Sequence, residues 1–452
     1  MARKNPSPDY ELDKSSAHPK WYEGVTAGQW LVLVVASLGW VFDAFEGQLF
    51  NITRGAMLAD LLGVSPDDPQ VKLWGDRFLA IFLAGGTLGG LLFGSLGDRF
   101  GRQPVMILTI LFYSVFSGLT YLATDLWQVG VLRFLVAMGV GGEWAVAAAL
   151  VAEVFPSHSR THAGGIFHAT GVLGTWLAAL VGMWAASEWR LAYLAGIVPA
   201  LLTLWVRASI REPGRWAEAK SSGVRMGNFL DLFGHSVWRR RALLGMALAA
   251  VGLGTFWGVC VASQDLTREL LLRQGVSPVE AGQKAMFAFG IIQVVGAGLG
   301  QLAFGPVCAR FGRRRTFMFF HLLALLMVPA VCYLPQGYGA MLLLLPLFGF
   351  CTYASHAGYA IYFPELFPDH LRATGASFCF NAGRLAAAPV LLLSGRLKQV
   401  LDLRDAVALL GTLFLLGLLL LLFLPETKDQ GLPGPGNERI KGSQSEEKAL
   451  DY

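Results

Sequence analysis

Ionisable side chains are scarce inside the long apolar runs of this chain, so each one needs a reason. In the first run Asp43, Glu46, Asn51 and Arg54 recur at i, i+3, i+8 and i+11. At about 100° per residue a helix carries them on one face. A charge at the centre of a bilayer costs about 2.5–3.5 kcal/mol on insertion scales. A carboxyl withdrawn from water favours its neutral form, so it can carry a proton. Asp43 and Glu46 are therefore candidate proton carriers, with pairing to an arginine on a neighbouring helix as the alternative. Arg54 is placed at the outer interface, its head reaching for water.

Two later runs carry the other candidates. Arg133 and Glu143 are ten residues apart in the fourth run. Glu143 lies among Gly139, Gly141 and Gly142, where another helix or a substrate can come close. It is a second candidate proton-linked carboxylate, or a structural partner of Arg133. In the eleventh run Asn381 and Arg384 stand at i and i+3, one turn after Ser377. The planar fork of an arginine suits a carboxylate bidentately. Arg384 is thus a candidate binder of an anionic substrate, with Asn381 adding an amide contact. Its alternative role is counter-ion to Asp43 or Glu143. The two roles could alternate, a proton on the carboxyl freeing Arg384 for the anion. His168 and His356 could titrate near neutral pH, or serve packing alone. His356 is the stronger candidate because Tyr353, Ser355 and Tyr359 surround it in sequence. Gln293 and Trp257 are candidate pocket lining.

The elements that must hold these residues are membrane helices. Only 15% of the 452 residues are charged and 54% are hydrophobic, where a soluble chain carries about 25% charge. Twelve apolar segments, many near the length of a membrane helix, fall at about 28–52, 76–97, 104–122, 127–152, 163–186, 190–209, 242–264, 284–305, 315–333, 338–362, 374–396 and 405–424. This predicts an all-α polytopic membrane protein. Its parts are a tail over 1–27, a six-helix bundle over 28–209, a polar loop over 210–241, a second bundle over 242–424 and a polar tail over 425–452, expected to be disordered. The first run is read as a retained helix, not a cleaved leader. The five cysteines, all in the second half, show no C-x-x-C spacing and no disulfide framework.

The halves repeat. Gly94-Ser-Leu-Gly-Asp98-Arg99-Phe-Gly101-Arg102-Gln follows the second apolar run. A degraded copy, Gly305-Pro-Val-Cys-Ala309-Arg310-Phe-Gly312-Arg313-Arg, returns 211 positions later (305 − 94). Gly85 and Gly89 return as Gly296 and Gly300, and Glu153-x-x-Pro-x-x-x-Arg160 returns as Glu365-x-x-Pro-x-x-x-Arg372. Lys and Arg concentrate on the side of both termini, above all in the central loop at Arg207, Arg211, Arg215, Lys220, Arg225, Arg239, Arg240 and Arg241. That bias predicts cytoplasmic termini.

The hairpin resembles the signature loop of the major facilitator superfamily, G-x-L-x-D-R-x-G-R-R between the second and third membrane helices. Arg133 to Gly141 resembles the R-x-x-x-G-x-G of helix 4. Arg211-Glu212-Pro-Gly-Arg215-Trp216 and Pro425-Glu426-Thr-Lys428 resemble the P-E-S-P-R-W and P-E-T-K of its sugar-porter branch. Gly141-Gly-Glu-Trp144 and Asp43-Ala-Phe-Glu46 look more like the organic-acid and sialate H⁺ symporters. Ser263-Gln-Asp-Leu266 is similar to a fragment of a lactate-permease motif, whose His and Asn would fall at Val261 and Trp257.

The resemblance implies a secondary transporter of the metabolite:H⁺ symporter group, alternating access about a midplane site between two six-helix halves. It also implies a cytoplasmic charge network. Asp98, Arg99 and Arg102 would engage Glu153 and Arg160. Arg310, Arg313, Glu365 and Arg372 would serve the second half, with Ala309 weakening that latch. Gly94, Gly101, Gly305, Gly312 and Arg133 belong to the same gating motifs. The expected cargo is a small organic anion, a carboxylate, moved with H⁺. A sugar or polyol porter is the rival, and a non-transporting receptor a further one. No cofactor, metal cluster, nucleophile motif or phosphate loop is expected, so neither enzyme chemistry nor nucleic acid binding is predicted. The expected place is the inner cell membrane, as a monomer whose partners are substrate, protons and lipid.

Overall fold

The computed structural model describes residues 20–66, 68–185, 188–209 and 212–434. Arg211 and the outer parts of both tails lie outside the described residues, as does the side chain of Arg207. Among the described residues eleven helices are long and apolar enough to cross a bilayer. They are α1 (Ala27–Leu62), α2 (Pro69–Phe100), α3 (Arg102–Leu122), α4 (Leu126–Val154), α5 (Ser157–Ala185), α7 (Ser236–Arg273), α8 (Pro278–Phe311), α9 (Arg313–Tyr333), α10 (Tyr338–Glu365), α11 (Arg372–Val400) and α12 (Leu403–Phe423). The sixth crossing, predicted as one span over 190–209, is instead broken into Trp189–Ala195 and Pro199–Ser209, together α6. Pro199 is the reason, because it cannot supply the N–H that would continue the first piece.

Local signals set the helix ends. Thr26 and Gln29 form a capping box at the start of α1, and Asp125 with Gln128 forms one at α4. Asp68 caps α2 and Pro69 opens it. Gly101 at φ +113° and Gly312 at φ +95° make the two hairpin turns, backbone that only glycine adopts at little cost.

Each turn is then held by a remote carboxylate. Glu212 accepts Arg102 N at 2.9 Å and Gln103 N at 2.7 Å. Glu426 accepts Arg313 N at 2.8 Å and Arg314 N at 3.1 Å. A negative side chain thus satisfies the free N–H groups that begin α3 and α9. The acid of each sugar-porter-like stretch is the cap of the hairpin in its own half.

Each half has one central helix buried on every side over its inner stretch, α4 from Ala145 to Ala152 and α10 from Ala354 to Glu365. Their charged residues, Glu143 and Glu153 on α4 and Glu365 on α10, need that protein surround rather than lipid. Small residues bring neighbours onto them: a Cβ at Gly89 would strike the Met138 backbone, and one at Gly300 the Phe350 backbone. Among the described residues three π-turns occur, Phe256–Cys260, Ala288–Gln293 and Phe378–Ala382, all in the second half. Each adds a residue to its turn and re-aims the side chains around it.

Candidate functional site

Two sites emerge, a central cavity and a charge lock on the face carrying the hairpins. The cavity measures about 310 Å³ and is walled by helices of both halves. From the first half come Trp40, Asp43, Gln48, Asn51, Phe82, Arg133 and His168; from the second come Phe256, Trp257, Gln301, Tyr353, His356 and Arg384.

Asp43 and Glu143 face one another, with exposures of 1% and 0%. Among the described residues neither carboxyl meets a donor other than its neighbour. Glu143 fits because Gly39, one turn before Asp43, has no Cβ to collide with its Oε1. Glu46 is equally buried but better supported, its Oε2 accepting Ser117 Oγ at 2.7 Å. It does not line the cavity wall; it lies behind it, beside α3 and the break in α6 at Gly196.

Arg384 lines the cavity within electrostatic reach of Asp43. The Phe380 ring sits 5.4 Å from its guanidinium, and among the described residues no carboxylate lies within the 4.0 Å of an ion pair. His356 and Trp257 also reach the cavity. His356 packs among Phe256, Tyr353 and Tyr359. His168 shares the cavity. Its Nδ1 accepts Trp144 Nε1 at 3.2 Å, so a neutral ring carries its proton on Nε2.

Asn381 and Gln293 are corrected. Asn381 faces the seam between halves, where its Nδ2 donates to Gly141 O at 3.2 Å and Ser377 Oγ at 3.1 Å. Gln293 ties α8 to α7, accepting from Ser263 Oγ at 2.5 Å and donating to Cys260 O at 2.9 Å. Neither lines the cavity. Sequence reasoning passed over Trp40, Phe82, Phe256 and Gln301 as cavity residues. In an apolar run an aromatic ring reads as packing, and only Gln301, a lone amide, carried a usable signal.

The lock crosses the halves. Asp98 accepts Ala373 N at 3.1 Å, Thr374 N at 2.8 Å and Thr374 Oγ1 at 2.6 Å, so the first hairpin caps the start of α11. Arg102 pairs with Asp98 at 2.8 Å and Glu153 at 2.6 Å. Glu153 also takes Arg372 of the other half at 2.9 Å, and Arg372 pairs with Asp369. In the second half Arg313 grips Glu365 through two bonds of 2.8 and 2.6 Å. Arg160 approaches that same Glu365 at 3.9 Å. Gly94 and Gly305 permit the close seams, against Ser377 and Thr161 respectively.

Three expectations for the lock are corrected. Arg160 approaches Glu365 of the other half, not the hairpin acid Asp98. Arg99 and Arg310 point outward and make no ion pair among the described residues, because only every third or fourth position of a helix faces its neighbour. Arg133 is no part of the hairpin face. It is 20 residues before Glu153 on one helix, about 30 Å away, and it lines the cavity.

Two helix bundles around a mostly apolar cavity, sealed on the hairpin face, are the architecture of the major facilitator fold of membrane transporters. The structure of the proton:xylose symporter XylE shares it with a TM-score of 0.72 at 18% identity, over 89% of this chain and 97% of that one. The sugar (and other) transporter family matches residues 32–225. The probable 4-methylmuconolactone transporter of Cupriavidus pinatubonensis is 28% identical over 90% of this chain and 93% of its own length. The sialic acid transporter NanX of Escherichia coli is 29% identical over 82% and 88%.

Proposed function

We propose that this chain is a proton-coupled symporter of a small organic anion, a carboxylate. Arg384 carries the reading. It is a cation in the cavity wall without an ion-pair partner, and an incoming carboxylate would supply the missing charge and accept its N–H fork. Asp43 and Glu143 serve the proton. Two carboxyls in contact in a dry site do not both ionise, so the pair takes up or gives off a proton with little rearrangement. The name of NanX, a sialic acid transporter, agrees with an acidic cargo.

In this scheme the halves over 28–209 and 242–424 rock about the cavity as bodies. The termini and hairpins lie in the cytoplasm of a cell with the chain in its inner membrane, and one copy suffices. The lock then closes the cytoplasmic side while anion and proton enter from the other. Filling the cavity neutralises Arg384 and the carboxyl pair together, which favours breaking the lock and opening inward.

A sugar porter is the second reading, favoured by Gln48, Asn51, Gln301, Trp40 and Trp257 in the wall. Amides and indole rings suit sugar hydroxyls and faces. Uptake of labelled benzoate, lactate, sialic acid and glucose into proteoliposomes separates them. Acid uptake lost in R384Q supports the anion reading. Glucose uptake that survives R384Q rejects it.

A further inference from the structure

Arg133 is the second cation of the cavity, and the protein leaves it without a counter-charge at contact distance. The residue is 1% exposed, and among the described residues no carboxylate comes within the 4.0 Å of an ion pair. Phe50 and Phe82 hold the guanidinium, their ring centroids 4.6 and 4.4 Å away. A guanidinium stacked on rings keeps its N–H edge for hydrogen bonding. Along that edge Nη1 reaches only the Glu46 carbonyl, at 3.5 Å, and Nε has no partner. Unpaired buried charge is costly, and the nearest acid, Glu46, acts on Arg133 only from beyond contact distance.

Helix α2 touches both arginines. Phe82 lies against Arg133. A Cβ at Gly86 would meet Arg384 Nη1 at 2.5 Å, so Arg384 fills the notch there. Those positions are one helical turn apart, about 6 Å along the axis. Leu79 and Leu83 of the same helix line the cavity beside them. Two guanidiniums without a carboxylate partner, both bordering one apolar stretch of α2, describe a ligand with an anionic group at each end and a short apolar middle. A monocarboxylate would satisfy one arginine and leave the other bare.

We propose that Arg133 and Arg384 bind the two ends of one ligand and that the cavity takes a short dicarboxylate. This rests on the anion reading above and narrows its substrate class. The test is equilibrium binding to the purified full-length protein, followed by tryptophan fluorescence, with succinate and butyrate as probes of equal chain length. Succinate binds about tenfold or more tighter than butyrate to the unaltered protein, because each charged hydrogen bond adds at least that factor. R133Q lowers succinate affinity about tenfold more than butyrate affinity, and R133K, which keeps the charge without the fork, falls between. Equal affinities in the unaltered protein need no variant to overturn the proposal. A uniform loss of both ligands in R133Q overturns it as well. If butyrate binds as well as succinate and R384Q abolishes both, the dicarboxylate fails and the anion reading stands. If neither acid binds, the dicarboxylate fails, and the anion reading is decided by the uptake assay above.

Discussion

Glu153 of α4 and Arg372 of α11 meet at 2.9 Å with both side chains fully buried. They belong to opposite halves, and Arg102 of the first hairpin holds the same Glu153 oxygen at 2.6 Å. One carboxylate thus ties a hairpin, a central helix and the other half into one closed face. Removing one member of a buried ionic cluster costs about 3–5 kcal/mol, because the partners stay buried without their counter-charge. E153Q therefore opens the hairpin face. The check is a single cysteine at Ser377, in a background lacking the five native cysteines, labelled by a thiol reagent. Labelling rises severalfold in E153Q; unchanged labelling would mean that the seal does not depend on this residue.

The two hairpins are unequal. Asp98 caps α11 through the N–H groups of Ala373 and Thr374, in the first turn of that helix. By the repeat, Ala309 stands opposite Thr161 and His162, whose backbone Gly305 already approaches. Those two lie beyond the first turn of α5, which begins at Ser157, so their N–H groups bond inside the helix and leave an acid at 309 nothing to cap. The interlock between halves at this level therefore rests on Asp98. D98N should lower the melting temperature and make the hairpin face easier to open, because α11 loses a charged cap and Arg102 loses its partner at 2.8 Å. An unchanged melting temperature in D98N would contradict the capping role.

Asp43 and Glu143 separate driving from binding. Among the described residues neither meets a hydrogen-bond donor from any side chain but the other's, so D43N and E143Q remove a titratable group while the amide can still bond the remaining carboxyl. Both variants should lose accumulation driven by a pH gradient, yet retain exchange of labelled for unlabelled substrate with the same substrate on both sides. The ratio of the two rates, measured in one vesicle preparation, is the readout. Accumulation that persists in both variants would place the proton elsewhere, with Glu46 the next group to test.

Much of the fold was legible because its signals are local. The hairpin repeat, the paired glycines and the Glu-x-x-Pro-x-x-x-Arg repeat are short patterns whose spacing survives folding. The charges of the lock were legible as a set, but not their partners. Glu153 with Arg372 and Arg160 with Glu365 cross between halves, and a repeat within each half suggests the uncrossed pairing instead. Arg133 was grouped with the hairpin charges through its motif, although 20 residues of helix separate it from Glu153. Asn381 and Gln293 were misplaced for another reason. Both lie inside π-turns, and one extra residue per turn rotates everything counted at 100° per residue. The same turns bring Phe256, Trp257 and Phe380 to the cavity.

R384Q bears on the anion itself. Losing a hydrogen bond to a charged group costs about 1.5–3 kcal/mol. The variant should therefore raise the KM for an acid roughly ten- to a hundredfold, while folding as the unaltered protein does, since Arg384 makes no ion pair among the described residues. An unchanged KM would remove Arg384 from the site.

The most direct measurement of the whole mechanism is proton movement on adding substrate. Proteoliposomes holding a pH dye, with no imposed gradient, would be given an outward-to-inward gradient of the carboxylate they transport. Symport acidifies the interior as the anion enters, and D43N with E143Q abolishes that signal. Substrate entry with no change of internal pH would show that the carboxyl pair is structural and that the transporter is not proton-coupled.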